Sequence, residues 1–114
     1  MSERVLIHTT AEFDEAVAAG ISFVGASFFN ADLDGITILG DVDLTGAVFN
    51  EATIENADLT AANLDGVNFS GVIYDTETVQ FPEGFNPEAA GMRGRNFYVV
   101  RAGARADRVR RMSH

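Results

Sequence analysis

Ala57-Asp58-Leu59-Thr60-Ala61, followed at once by Ala62-Asn63-Leu64-Asp65-Gly66, decides how this chain is read. Each pentad opens on alanine, sets an acid or amide second and a leucine third. Working outward, a large apolar residue recurs at Phe23, Phe28, Leu33, Ile38, Leu44, Phe49, Ile54, Leu59, Leu64, Phe69, Tyr74 and Val79. Two positions before these centres stand Ile21, Ala26, Ala31, Ile36, Val42, Ala47, Ala52, Ala57, Ala62, Val67, Val72 and Glu77, of which only the last is polar. The period is five, neither the 2 of a strand nor the 3.6 of a helix, and self-similarity at a fixed period outranks local propensity. One large and one small inward residue per five, with polar residues or glycine between, fills a narrow square tube in which each unit makes one side.

One phase slip tests that scheme. Ile38 and Leu44 are six residues apart, so one extra residue sits near Gly40-Asp41. Coils of four units then run from Phe23 to Ile38, Leu44 to Leu59 and Leu64 to Val79. The grouping stacks Phe28, Phe49 and Phe69 on the second side and Gly25, Gly46 and Gly66 at the corner after the first, where a conformation awkward for other residues explains glycine. The extra residue reads as a bulge that re-aims the tube. At strand spacing, about 4.8 Å, three coils make a repeat region only about 15 Å long.

These pentads resemble the pentapeptide repeat family, whose units read roughly Ala-(Asp/Asn)-Leu-x-x. The resemblance implies a right-handed quadrilateral β-helix with four units per coil. It extends through Tyr74-Asp75-Thr76-Glu77-Thr78-Val79-Gln80-Phe81-Pro82-Glu83-Gly84-Phe85-Asn86-Pro87, which looks like a closing segment. The expected fold is thus all-β: about three coils over residues 21–81, an N-terminal strand and helix cap over 1–20, an irregular C-terminal cap over 82–100, and an Arg-rich tail over 101–114.

The ends are read from local signals. Val5, Leu6 and Ile7 suit a short strand, and Thr9 with Glu12 three residues on forms a capping box for a helix over 10–19 that Gly20 stops. Phe13, Ala16 and Val17 share one face of that helix, as in a lid over an open coil. Beyond Phe81, two prolines with Gly84, Gly91 and Gly94 mark an irregular segment whose plugs are Phe81 and Phe85. Asn96-Phe97-Tyr98-Val99-Val100 has strand composition and is expected to pair with Val5–Ile7 of this chain or a neighbour. Residues 104–112 suit a short helix.

Charge is unevenly spread. The net charge of -9 divides into +6 over residues 92–114, which hold seven of the eight arginines, and -15 over residues 1–91. Such a body repels nucleic acid and anionic membranes while the tail attracts them, or the acidic body of another copy. The residue after the centre on the third side is Asp34, Glu55 and then Asp75, with Asp32 beside them, and this acidic side is one candidate binding surface. Outward apolar positions at Val24, Phe29, Leu39, Val48 and Ile73 give a second, with Phe29, Val48 and Ile73 as its candidate interface. The tail residues Arg101, Arg105, Arg108, Arg110 and Arg111 give a third, expected to dock on an acidic surface of this protein or its partner subunit.

Chemistry is sparse. There is no cysteine, His8 and His114 lie near opposite ends, and no phosphate loop, dinucleotide fingerprint or nucleophile elbow is present. No catalytic residue, metal site or cofactor is expected. No secretory leader pattern or membrane-spanning run is visible, so a soluble cytoplasmic protein is the expectation. The function expected is a non-enzymatic protein-binding or scaffolding module, homodimeric through its opposite charges and exposed apolar positions, with nucleic acid an unfavoured partner. The resemblance supplies an alternative: some pentapeptide repeat proteins are acidic rods that mimic duplex DNA and bind DNA gyrase, which would make Asp34, Glu55 and Asp75 phosphate mimics. A further alternative is tethering to an anionic surface through the arginine tail.

Overall fold

The computed structural model describes residues 4–99 and 101. Helix α1, Thr10–Ala18, begins where the extended Thr9 offers Oγ1 to the Glu12 N–H at 3.1 Å, and the Glu12 carboxylate reaches back to the His8 N–H at 3.2 Å. Two otherwise orphaned donors are satisfied by this exchange. The helix ends at Gly20, whose φ of 73° turns the chain into the first coil. Phe13 is buried with its ring 4.9 Å from Phe23 and 6.0 Å from Phe28, while Val17 on the same side stays exposed.

The coils stack in parallel. On the third side β1 (Asp32–Asp34), β2 (Thr53–Glu55), β4 (Ile73–Asp75) and β6 (Arg93–Arg95) form one four-stranded sheet in the order β1-β2-β4-β6. On the fourth side β3 (Ala57–Asp58) pairs with β5 (Val79–Gln80), and Thr37 pairs with Asp58. The second side is a column of single pairings, Leu6 with Ser27, Ser27 with Val48, and Val48 with Asn68. At the corner after the first side the Gly25 N–H donates to the Thr45 carbonyl at 2.8 Å. The N-terminal segment thus lies on coil one, through Leu6 and through Thr9 paired with Asp32.

Register carries the sequence pattern into three dimensions. Leu33 pairs with Ile54 and Ile54 with Tyr74, centre on centre. The extra residue near Gly40 falls where a side chain has no room, since a β-carbon there would come within 2.9 Å of the Ala61 carbonyl oxygen. A second slip contradicts the even spacing after Tyr74. Ala57 pairs with Val79 and Asp58 with Gln80, so Phe81, not Val79, continues the column of Leu59. The added residues loop around Asp75, with the Thr78 hydroxyl 2.6 Å from its carboxylate and also accepting the Asn56 N–H at 2.9 Å.

Gly25, Gly46 and Gly66 have φ of 70°, 72° and 74°, the left-handed region that the stacked corner requires. At the next corner the same region is taken by Asn30, Glu51, Gly71 and Gly91, of which Glu51, φ 64°, is the costly occupant. Phe28, Phe49 and Phe69 form a continuous stack with centroids 4.2 and 5.3 Å apart. Phe85 meets Phe69 edge-on at 5.7 Å and Phe81 lies 5.3 Å from Phe85, closing the last coil. Ile21, expected inside, is 44% exposed where the chain leaves α1, its N–H bonded to the Ala16 carbonyl, and enters the first coil.

The C-terminal segment departs from expectation. The strand is β6, a fourth layer on the third side, with Met92 buried over the Val72 position and Gly94 over Tyr74. Glycine is needed there, as a β-carbon would meet the Tyr74 hydroxyl at 2.9 Å and the Thr76 methyl at 2.7 Å. Residues 97–99 are helical rather than extended, because Asn96 Oδ1 accepts the Val99 N–H at 3.0 Å and caps the turn. The expected pairing of Asn96–Val100 with Val5–Ile7 is therefore replaced by β6 on β4 and by the N-terminal segment on coil one. No helix among the described residues is long and apolar enough to cross a membrane.

Candidate binding face on the third side

Alternation along each strand sends the centre residue inward and its two neighbours outward, so the outer face of the four-stranded sheet carries two columns. One reads Asp32, Thr53, Ile73, Arg93 and the other Asp34, Glu55, Asp75, Arg95. Both columns begin acidic and end in arginine. The expected acidic side is thus bipolar along the axis.

Asp75 corrects the expectation of three outward carboxylates. It is only 5% exposed, held in by the Thr78 hydroxyl at 2.6 Å and by the N–H groups of Phe97 at 3.1 Å and Glu77 at 3.4 Å. Burial pushes its carboxyl up, but the hydrogen bonds from Thr78, Phe97 and Glu77, with the charge of Arg101, outweigh burial and leave it below the ordinary value. Asp75 is a fastener for the turn at 97, not a surface ligand. It could not be read as one from sequence, because its partner Phe97 lies a full coil further on.

Glu55 is half-buried and accepts both of its contacts from Nη2 of Arg101, at 2.9 and 3.0 Å. Hydrogen bonding to Glu55 and its charge raise the Arg101 guanidinium, with Asp75 and Asp34 adding further attraction. The same guanidinium lies 5.7 Å from the centroid of the Phe97 ring. Asp34 is exposed and accepts from Asn56 Nδ2 at 2.8 Å, and Asp32 accepts the Asp34 N–H at 3.3 Å. Arg105, Arg108, Arg110 and Arg111 lie outside the described residues, as does the expected helix over 104–112.

The candidate apolar residues are not brought together. Phe29 is exposed on the second side, Val48 is half-buried between Ser27 and Asn68, and Ile73 is exposed on the third side. Around Ile73 the chain forms a recess of about 360 Å³ lined by Ile73, Arg95, Phe97 and Arg101. Tyr98 and Val99, on the same helical turn as Phe97, are both exposed. Arg93, Arg95 and Phe97 were not singled out by the sequence reading, although a signal existed. Advancing Val72-Ile73-Tyr74-Asp75 by one coil gives Met92-Arg93-Gly94-Arg95, with an apolar residue again where the tube needs it. A second recess, of about 290 Å³, lies between α1 and the fourth side, with Phe13, Val17, Leu39 and Val42 among its lining.

Two further acids are engaged in local structure. Asp43 and Asp58, each two residues before a threonine, accept its hydroxyl at 2.6 Å and its N–H at 3.0 Å. Those bonds, the hydroxyl foremost, hold both carboxyls below their ordinary value. Among the described residues no three side chains of His, Asp or Glu gather as a metal would require.

The repeat matches a family model. Residues 37–73 match the family model described as pentapeptide repeats, in eight copies, and the chain carries these repeats. Among solved structures, a pentapeptide repeat protein from Nostoc Pcc 7120 matches with 20% identity and a TM-score of 0.36, over 82% of this chain and 100% of that one. No curated protein matches the chain.

Proposed function

We propose that this chain, whose residues 37–73 are pentapeptide repeats, is a non-catalytic protein-binding or scaffolding module on a right-handed quadrilateral β-helix of about three coils. Its binding face is the third side at the C-terminal end. The observation that carries this reading is the apolar surface left open there on a backbone locked by parallel pairing: Ile73, Tyr98 and Val99 are exposed beside a recess walled by Phe97. Large exposed apolar residues grouped on a rigid scaffold mark an interaction surface. The carboxylates of that face are already matched within the molecule, Glu55 by Arg101 and Asp75 by Thr78 and Phe97, which favours a positioning role over proton transfer. The same matching argues against gyrase binding through duplex mimicry, since the acid column is interrupted at its second and third steps and ends in Arg95.

The test is site-specific photo-crosslinking in the native host. A crosslinker at Tyr98 is expected to trap a discrete protein partner, and one at Thr60, on the fourth side, is not. Equal trapping at both sites, or none at Tyr98, refutes the assignment of the face.

A further inference from the structure

We propose that the recess between Ile73, Arg95, Phe97 and Arg101 is a docking site for an acidic peptide segment bearing one aliphatic or aromatic side chain. This rests on the reading of the third side as the binding face and names the chemistry of its partner. Residues 1–91 carry -15, so an anionic segment is repelled over most of the surface. The described arginines are Arg4, Arg93, Arg95 and Arg101, and three of these four stand at one end of one sheet face. Their roles there differ. Arg101 is matched by Glu55, while among the described residues neither Arg93 nor Arg95 joins an ion pair. The Arg95 guanidinium donates from Nη1 to the Gly94 carbonyl at 2.8 Å, which anchors it at the mouth of the recess and leaves its other donors for a carboxylate.

The apolar part of the ligand follows from the lining. Ile73 is 40% exposed and Phe97 half-buried, and the recess of about 360 Å³ falls within the size of small-ligand pockets. Filling it with a leucine- or phenylalanine-sized side chain removes the Ile73 and Phe97 surfaces from water, while flanking carboxylates meet Arg93 and Arg95. A long polyanion is disfavoured, because beyond Arg95 and the buried Asp75 the same column carries Glu55 and Asp34, two and three strand spacings of about 4.8 Å away, and a longer strand laid along it would run onto those carboxylates. The site therefore selects a short acidic stretch with an apolar residue in it over a nucleic-acid strand.

The probe is a fluorescein-labelled oligoglutamate peptide with one central leucine, titrated by anisotropy into the full chain at low salt. Saturable binding is expected, weakened about tenfold by Arg95→Glu and by replacing the leucine with serine. Amide shifts in NMR should centre on Ile73, Arg93, Arg95 and Phe97. Circular dichroism checks folding, and Ile73→Ser, a surface change with the same expected loss of binding, serves if Arg95→Glu does not fold. The proposal is overturned by no saturation up to about 1 mM peptide, by equal binding of the serine peptide, or by tighter binding of oligothymidylate. Shifts at Ile73 and Arg95 that follow protein concentration alone identify a second copy as the occupant and also overturn it. If the peptides fail while a crosslinker at Tyr98 still traps a protein, the module stands and the acidic partner falls.

Discussion

Removing the Asp75 carboxylate separates a fastener from a surface charge. In Asp75→Ala the Phe97 N–H loses its acceptor at 3.1 Å and the Thr78 hydroxyl its acceptor at 2.6 Å, while the Glu77 contact at 3.4 Å was weak from the start. Hydrogen bonds to charged groups contribute about 1.5–3 kcal/mol each. Thr78 is exposed and can turn to water, so the stranded Phe97 amide dominates. Because removing a buried charge also relieves its desolvation, the net loss is about 2–3 kcal/mol. Asp75→Asn keeps an acceptor and loses about 1 kcal/mol. The pH dependence has a fixed sign. The folded carboxyl lies below its ordinary 3.8, so its stabilisation is complete above that value and is lost as pH falls through the folded one. Urea unfolding followed by circular dichroism should show the wild-type advantage constant from neutrality to about pH 4 and closing below it. Amide exchange at Phe97 and Val99 should accelerate in the variant. A difference under about 0.5 kcal/mol at pH 7, or one that widens on acidification, refutes the reasoning.

Glu51→Gly places the residue favoured at a left-handed corner where φ is 64°, and chemical denaturation should show a gain of about 1 kcal/mol. Phe49→Ala breaks the middle of the ring stack, whose centroid is 4.2 Å from Phe28 and 5.3 Å from Phe69, and should lose about 3–5 kcal/mol in the same assay. The Tyr74 phenol is pushed up to about 12 by burial, by its hydrogen bond to Glu88 at 2.8 Å and by that carboxylate's charge. Its raised value means a contribution intact below 10 and lost as pH rises toward about 12, so ultraviolet titration should show a late phase that Tyr74→Phe abolishes.

The interior was legible because the tube leaves little choice. A unit whose Leu33 must lie on Ile54 and Ile54 on Tyr74 shows its period in the chain itself, and Gly25, Gly46 and Gly66 mark a corner that tolerates few other residues. The second slip was hidden because Val79 stands five residues after Tyr74, although the polar Glu77 two residues before it is a misfit that Phe81, with Val79 two residues before it, removes. What decides between them is the loop that encloses Asp75, a contact made in space. The same carboxylate misled the reading of the surface. Outward position within a pentad predicts exposure only while nothing lies over the face, and Phe97 and Arg101 lie over it. Asn96–Val100 likewise has β-rich composition, yet Asn96 and Asp75 together bind the N–H groups that start a helical turn.

The uninterrupted pairing between the second and third coils has a consequence for length. Val48 meets Asn68 and Thr53 meets Ile73, each twenty residues on, whereas one slip lies before Val48 and the other after Asp75. The irregularities that fit the lid and the plug are thus confined to the two ends. A tandem duplication of one turn, spliced at the Gly66 corner, would elongate the rod by about 4.8 Å and leave α1, Phe85 and the Arg101 clasp seated as before. Reach in this molecule is a stepwise, heritable dimension, adjustable by copying a segment without redesigning either terminus.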